Sequence, residues 1–154
     1  MAATARIRGG IGADGPFWDA LDAGEFRIAR CRGCNEWLMP AHFRCGTCGS
    51  WDIGWDEVDA TGIIYAWTRN HAVSDVLKER RGALPYVTAL VELPQAGGAR
   101  LPGVIVGDPP NLRIGARVRG TIRPPEERSR GYATMVWQIE DDSAPATRVG
   151  ETEA

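Results

Sequence analysis

The sequence has little lysine and little histidine. It contains one lysine, Lys78, and two histidines among 154 residues, and its formal net charge is -2. Proteins whose main activity is nucleic-acid binding usually carry clustered basic residues and a clear positive charge. The composition therefore disfavours that class, and the scarcity of histidine removes the commonest general base of enzymes.

Long apolar runs are missing as well. No stretch approaches the roughly 18 apolar residues that span a bilayer, and residues 1–10, MAATARIRGG, lack the apolar centre of a secretory signal. We therefore expect a cytoplasmic protein with no membrane contact. In that compartment closely spaced cysteines are more often metal ligands than disulfides, because thiols are kept reduced.

Familiar catalytic motifs are absent. The chain has no GxSxG, no HExxH and no glycine loop followed by a Walker lysine. Residues 10–15, GIGADG, match the GxGxxG pattern of dinucleotide-binding turns, but no buried strand can precede them within so few residues. We predict no catalytic residue and do not expect the chain to act as an enzyme by itself.

What the sequence does have is a cysteine cluster. Residues 31–50, CRGCNEWLMPAHFRCGTCGS, place Cys31, Cys34, Cys45 and Cys48 in two CxxC pairs. Each CxxC forms one turn that can point two sulfurs at a common centre, which predicts a structural zinc ribbon. A mononuclear iron site and a pair of disulfides are the alternatives. His42 lies between the pairs, and with four cysteines present it is not needed as a ligand.

Upstream of the cysteines, residues 14–24 predict one short helix. Asp14 is a candidate N-cap, and Pro16 suits the first turn. Gly24 is a candidate for the residue that ends the helix. Phe17, Trp18 and Leu21 would form an apolar stripe. A helix of this length is marginal alone, so it should dock on another element.

Downstream, apolar and β-branched runs separated by glycine and proline predict strands. We place them at residues 55–71, 86–93, 100–107, 116–123 and 133–140. Five strands without intervening helical periodicity indicate a Greek-key barrel of the OB type, with Gly62 at a sharp bend of the first strand. The predicted fold is mainly β: a flexible lead-in (1–13), helix and rubredoxin-like zinc ribbon (14–54), five-stranded OB-fold barrel (55–140) and disordered acidic tail (141–154).

The order of these features resembles a known family. A helix with FW, a ribbon ending in CGS and the strand segments TGIIYAWTRNH, LPYVTALVELP and RIGARVR together resemble the zinc-ribbon and OB-fold acyl-CoA-associated proteins. The resemblance implies a non-catalytic accessory subunit of a thiolase-superfamily partner in acyl-CoA thiolysis, aldol cleavage or acyl transfer. It also implies that the four cysteines bind zinc.

A basic loop at residues 72–84 is the candidate contact with the coenzyme. Arginine forks can bond the phosphate oxygens of CoA in bidentate fashion. Arg69 and His71 end the strand that leads into this loop, and Lys78, Arg80 and Arg81 lie within it. We predict these five residues as CoA contacts, with solvation of the loop or pairing to partner acids as equal alternatives.

Two other functions stay open. Zinc ribbons and OB barrels both occur in nucleic-acid machinery, so a nucleic-acid-binding protein is the alternative, and it requires exposed aromatic residues on the barrel. A rubredoxin-like electron carrier is a third reading. The six tryptophans fit a partner interface, although core packing is the favoured role for any single one of them. A small ribbon and a barrel of this size should leave some tryptophans at the surface.

Overall fold

The computed structural model describes residues 13–140 and is mainly β within them. The described part contains one α-helix, eight strands and three short 3₁₀ segments. Their bounds are α1 Gly15–Asp22, β1 Arg27–Cys31, β2 Trp37–Leu38, β3 Ile53–Glu57, β4 Thr61–Asn70, β5 Tyr86–Leu93, β6 Ala99–Ile105, β7 Arg117–Arg123 and β8 Thr134–Ile139, with 3₁₀ segments at Asp75–Ala83, Pro94–Ala96 and Glu127–Ser129. Almost all of the predicted lead-in and the whole predicted tail lie outside the described residues.

Strands β1 to β3 form a separate small sheet in the order β2-β1-β3. The single strand predicted at 55–71 is therefore wrong. Its first part belongs to β3, which pairs with β1 from Cys31 opposite Ile53 to Arg27 opposite Glu57. A turn then separates it from β4, where the Thr61 N–H bonds the Asp59 carbonyl at 2.8 Å.

Strands β4 to β8 form the predicted five-stranded barrel, closed in the order β4-β5-β6-β8-β7. Neighbouring strands of the barrel are antiparallel except for β6 and β8. These two run parallel, with Val104 paired to Val136 and Ile105 paired to Trp137. The β4 strand bends at a bulge between Ile64 and Ala66. A bulge increases local twist and so lets one strand pair with both of its neighbours.

Three glycines of the barrel make room for close packing. A Cβ at Gly62 would clash with the Val91 side chain, so the close approach of β5 requires a glycine here. Gly103 and Gly120 lie beside the indole of Trp137, which is completely buried. A side chain at either position would overlap the ring, so the largest core residue determines where the barrel needs glycine.

Helix α1 and the first ribbon strand share the core of the barrel. Phe17, Leu21, Phe26 and Ile28 are buried in the same apolar cluster as Trp137. The rings of Phe26 and Trp137 meet edge to face with centroids 6.2 Å apart. Edge-to-face packing of aromatic rings is favourable, so this contact helps to hold the ribbon against the barrel.

The helix begins where the sequence predicts, but its cap works differently. Asp14 occupies the N-cap position and makes no side-chain bond to the helix backbone. Its Oδ2 instead accepts a 2.9 Å hydrogen bond from Trp18 Nε1.

Within residues 13–140 no helix combines the length and the apolarity needed to cross a bilayer.

We predict that Gly103→Ala lowers the free energy of unfolding by about 1 to 3 kcal/mol, because the added methyl group overpacks the core against Trp137. Urea denaturation measures the change. Gly82→Ala is the matched control, since a Cβ there meets no atom within 4 Å. Equal stability of the two variants would contradict this account of the core.

Candidate metal centre and adjoining cleft

The two CxxC turns bring the four cysteine sulfurs together. All four Sγ atoms lie within 4.8 Å of one another. Cys31 and Cys48 are 3.5 Å apart, and Cys34 and Cys45 are 3.6 Å apart. A tetrahedral zinc with Zn–S bonds near 2.3 Å places its sulfurs about 3.8 Å apart, so this donor set fits the ion. The four cysteines are positioned to bind a metal.

The backbone shapes both turns for this arrangement. The Asn35 N–H bonds the Cys31 carbonyl and the Gly49 N–H bonds the Cys45 carbonyl, each at 2.9 Å. Asn35 and Gly49 have φ angles of 62° and 76°. Glycine and asparagine adopt this left-handed region at least cost, which explains the residue that follows each CxxC pair.

The sulfurs are free thiols, which excludes the disulfide alternative for this structure. The backbone N–H of Cys48 helps to lower the pKa of Cys45 to about 6. The backbone N–H of Glu36 lowers the pKa of Cys34, but contacts with Cys48 and the other sulfurs, together with desolvation, raise it to about 12. Adjacent thiols cannot all ionise without a cation between them, so a divalent metal suits this site.

An ion-pair group braces the ribbon sheet beside the cysteines. Asp56 on β3 accepts hydrogen bonds from Arg32 and Arg30. The Arg32 guanidinium lowers the pKa of the Asp56 carboxyl, with a smaller effect from Arg30. Asp56 is half-buried and ties β3 to residues at the end of β1.

Next to the ribbon, a cleft of about 470 Å³ opens between helix α1, the ribbon and the outer surface of the barrel. Its walls are mostly apolar or aromatic, and they come from every part of the fold. They include Phe17, Trp18 and Leu21 of the helix, Met39, Pro40 and Trp55 of the ribbon, and Tyr86, Leu101, Pro102, Val104, Met135 and Val136 of the barrel. Ligand pockets of proteins have this size and this mainly apolar character.

Two cations and two acids line the same cleft. Arg80 comes from the 3₁₀ segment Asp75–Ala83, and Arg123 ends β7. Asp14 and Glu126 are the acids, and Asp14 Oδ1 is buried without a hydrogen-bond partner among the described residues. Arg123 was not singled out by the sequence, which showed it only as one of several arginines between residues 108 and 130.

The structure separates the five predicted CoA contacts. Arg80 lies in the cleft wall, with its guanidinium 5.8 Å from the centroid of the Tyr86 ring. Arg81 points away to Asp75 at 3.3 Å, and Lys78 is exposed. Arg69 forms an ion pair with Asp108 at 2.6 Å. In the sheet it is the cross-strand neighbour of the buried Val87 and therefore lies on the face away from Tyr86.

His71 lies just beyond the end of β4 and is exposed. It is not among the residues that line the cleft. Of the predicted set, only Arg80 is a cleft residue, and the tertiary structure adds Arg123 to it.

The tryptophans divide between core, cleft and surface. Trp137 is buried in the barrel, and Trp18 and Trp55 line the cleft. Trp51 and Trp67 remain 72% and 38% exposed. The expectation that some tryptophans stay at the surface is confirmed.

We predict that elemental analysis finds about one zinc per chain. Cys45→Ser should lose the metal and lower the melting temperature, since a closed thiolate site contributes folding energy directly. His42→Ala is the control and should keep both, because His42 is exposed and outside the sulfur cluster. A red, iron-containing protein, or an unchanged melting temperature without metal, would contradict the prediction.

Comparisons with known proteins agree with this architecture. Residues 18–52 match the ChsH2 rubredoxin-like zinc ribbon domain, and residues 55–123 match the ChsH2 C-terminal OB-fold domain. A search of curated protein sequences gives no match.

The solved structures that are similar to the chain include the following two. The "Ltp2-ChsH2(DUF35) aldolase" is 30% identical with a TM-score of 0.69, and the match covers 86% of this chain and 98% of that one. A DUF35 protein of unknown function from Sulfolobus solfataricus is 19% identical with a TM-score of 0.54, over 85% and 87% of the two chains, and shows the fold alone. The ribbon, the barrel and the 30% identity together show that this chain belongs to the ChsH2 family of zinc-ribbon and OB-fold proteins, also called DUF35.

Proposed function

We propose that this chain is a non-catalytic accessory subunit that binds a thiolase-superfamily partner and assists acyl-CoA binding. The complex would carry out thiolysis, aldol cleavage or acyl transfer. The observation that carries the proposal is the apolar cleft with Arg80 and Arg123 in its wall, which offers a binding surface. The similar chain of the Ltp2-ChsH2 aldolase, found with a second protein, supports a hetero-oligomeric arrangement.

The cleft supplies groups for binding and lacks a usual catalytic pair. Its titratable side chains include Asp14, Arg80, Arg123 and Glu126, and no histidine or cysteine of the described residues lines it. All four cysteines of the chain belong to the sulfur cluster. A thiolase-like reaction needs an activated nucleophile, so the partner would provide the reaction centre. A cytoplasmic location belongs to this proposal because reduced thiols persist there.

The acyl-CoA contact centres on Arg80. An anionic phosphate beside the cleft would meet Arg80, whereas Lys78, Arg81, Arg69 and His71 are not among the lining residues and would contact the coenzyme only outside the cleft. Arg80 is half-buried against Tyr86, which holds its guanidinium in place. A preorganised guanidinium loses less entropy when it binds a phosphate than a freely moving lysine does.

Nucleic-acid binding is the weaker alternative. The barrel does expose Tyr65 and Trp67, as that function requires. However, Arg100 covers the Tyr65 ring at 3.5 Å and Arg69 lies 5.6 Å from the Trp67 ring centroid. Both arginines also pair with acids of the chain, so these rings are poorly placed to stack on bases.

We predict that the purified chain alone turns over no acyl-CoA, because the reaction centre belongs to the partner. Activity should appear when a thiolase-superfamily protein encoded beside it is co-expressed and the two co-elute in size-exclusion chromatography. Thiolysis or aldol cleavage by this polypeptide alone, free of contaminating thiolase, would overturn the assignment.

We further predict that Arg80→Ala in the active complex raises KM for acyl-CoA by roughly ten-fold with little change in kcat, the effect of losing a charged hydrogen bond. Arg81→Ala, made separately, tests the neighbouring residue that points to Asp75. Arg119→Ala removes the same charge away from the cleft, where Arg119 pairs with Glu140, and is the control. Weaker assembly with unchanged KM would make the loop a partner interface instead.

A further inference from the structure

The floor of the cleft is a patch of barrel surface with unusually little polarity. Thr88 on β5, Val104 on β6 and Val136 on β8 lie side by side in register, and all three line the cleft. A barrel strand normally presents polar residues outward. Here the outward row is half-buried because helix α1 and the ribbon stand beside it. The floor therefore exposes apolar surface, whose hydration is unfavourable in free energy.

The aromatic walls are held in place by contacts within the chain. Trp18 meets Phe17 and Tyr132 edge to face, with ring centroids 5.1 and 4.8 Å apart. Its one polar atom, Nε1, is bonded to Asp14. The indole consequently presents apolar surface to the cleft without leaving a polar group unsatisfied. A cleft with fixed walls needs little ordering when a ligand binds, which favours affinity.

The apolar floor decides which kind of ligand fits, because the cleft carries charges of both signs. Arg80 and Arg123 line it together with Asp14 and Glu126. Arg123 forms no ion pair within residues 13–140. The complementary ligand has an apolar body beside a polar group. Among the parts of an acyl-CoA, the acyl group supplies the apolar body, and the thioester oxygen next to it can accept a hydrogen bond from an arginine.

We propose that this cleft binds the acyl group of the CoA ester, so that the accessory chain contributes to the choice of acyl size. The inference rests on the proposed function and extends it from the coenzyme to the acyl group. The adenine nucleotide is a poor occupant, since burying phosphates against valine and aromatic walls would strip them of water without enough partners. An acyl chain gains free energy from the same walls with every methylene that it buries.

The test measures binding by isothermal titration calorimetry with the full chain alone. Every wall described above belongs to this chain, so selectivity should appear without the partner. The probes are CoA, butyryl-CoA, hexanoyl-CoA and octanoyl-CoA. We expect the affinity to rise along the series by roughly ten-fold for each two methylene groups until the cleft is full.

A variant pair locates the effect. Val104→Trp places a large ring on the floor and should abolish the dependence on chain length. Gln138→Trp makes the same change on the outer surface of β8, where the residue is exposed and outside the cleft, and should keep the dependence. Zinc content and melting temperature check that both variants are folded. A dependence that survives Val104→Trp would overturn the assignment to this cleft.

The remaining outcomes separate this inference from the proposed function. If CoA and all three esters bind equally well, the acyl group stays outside the cleft and the inference is wrong, while acyl-CoA binding by the accessory chain is retained. If no probe binds, the inference is also wrong. In that case an unchanged KM for Arg80→Ala in the complex would contradict the acyl-CoA part of the proposed function as well.

Discussion

The cleft depends on the contact between Phe26 and Trp137, where the ribbon joins the core of the barrel. Trp137 fills the barrel interior and reaches Phe26 at the beginning of the ribbon, so the two sheets share one apolar cluster with helix α1. Large aromatic rings contribute most of the burial energy at such joints. Because the joint fixes the ribbon and the helix beside the barrel, three otherwise separate surfaces face one another across a defined gap.

The candidate metal centre lies in the ribbon, which forms one wall of the cleft. The cysteine cluster lies in a small second core with Ala29 and Leu38, which by itself buries little apolar area. We expect a bound metal to stabilise this ribbon, because the apolar cluster around the cysteines is small. Met39 and Trp55 belong to this ribbon and also line the cleft. The cysteine cluster is therefore connected to the cleft through these ribbon residues and is not among the residues that line it.

The arginines in and around the cleft differ in whether they already form an ion pair with a carboxylate of the chain. Arg69, Arg81 and Arg119 each have an acid within the chain, which lowers their availability to a ligand. Arg80 instead leans on Tyr86, and Arg123 lies at the end of its strand. A guanidinium that already has a carboxylate gains less from a phosphate than one that has none. Of these five arginines, Arg80 and Arg123 are thus the two that no carboxylate of the described residues pairs with in an ion pair.

The sequence by itself determined the local features, because each depends on residues that are close along the chain. The CxxC spacing, the helix beginning at Asp14 and four of the five barrel strands follow from periodicity and turn chemistry. Only the tertiary structure decided that residues 53–57 pair with β1, that Gly62 serves close packing and that Arg80 and Arg123 share a cleft. These features join residues far apart in sequence, and strand pairing and side-chain packing across such distances leave no signal in local pattern.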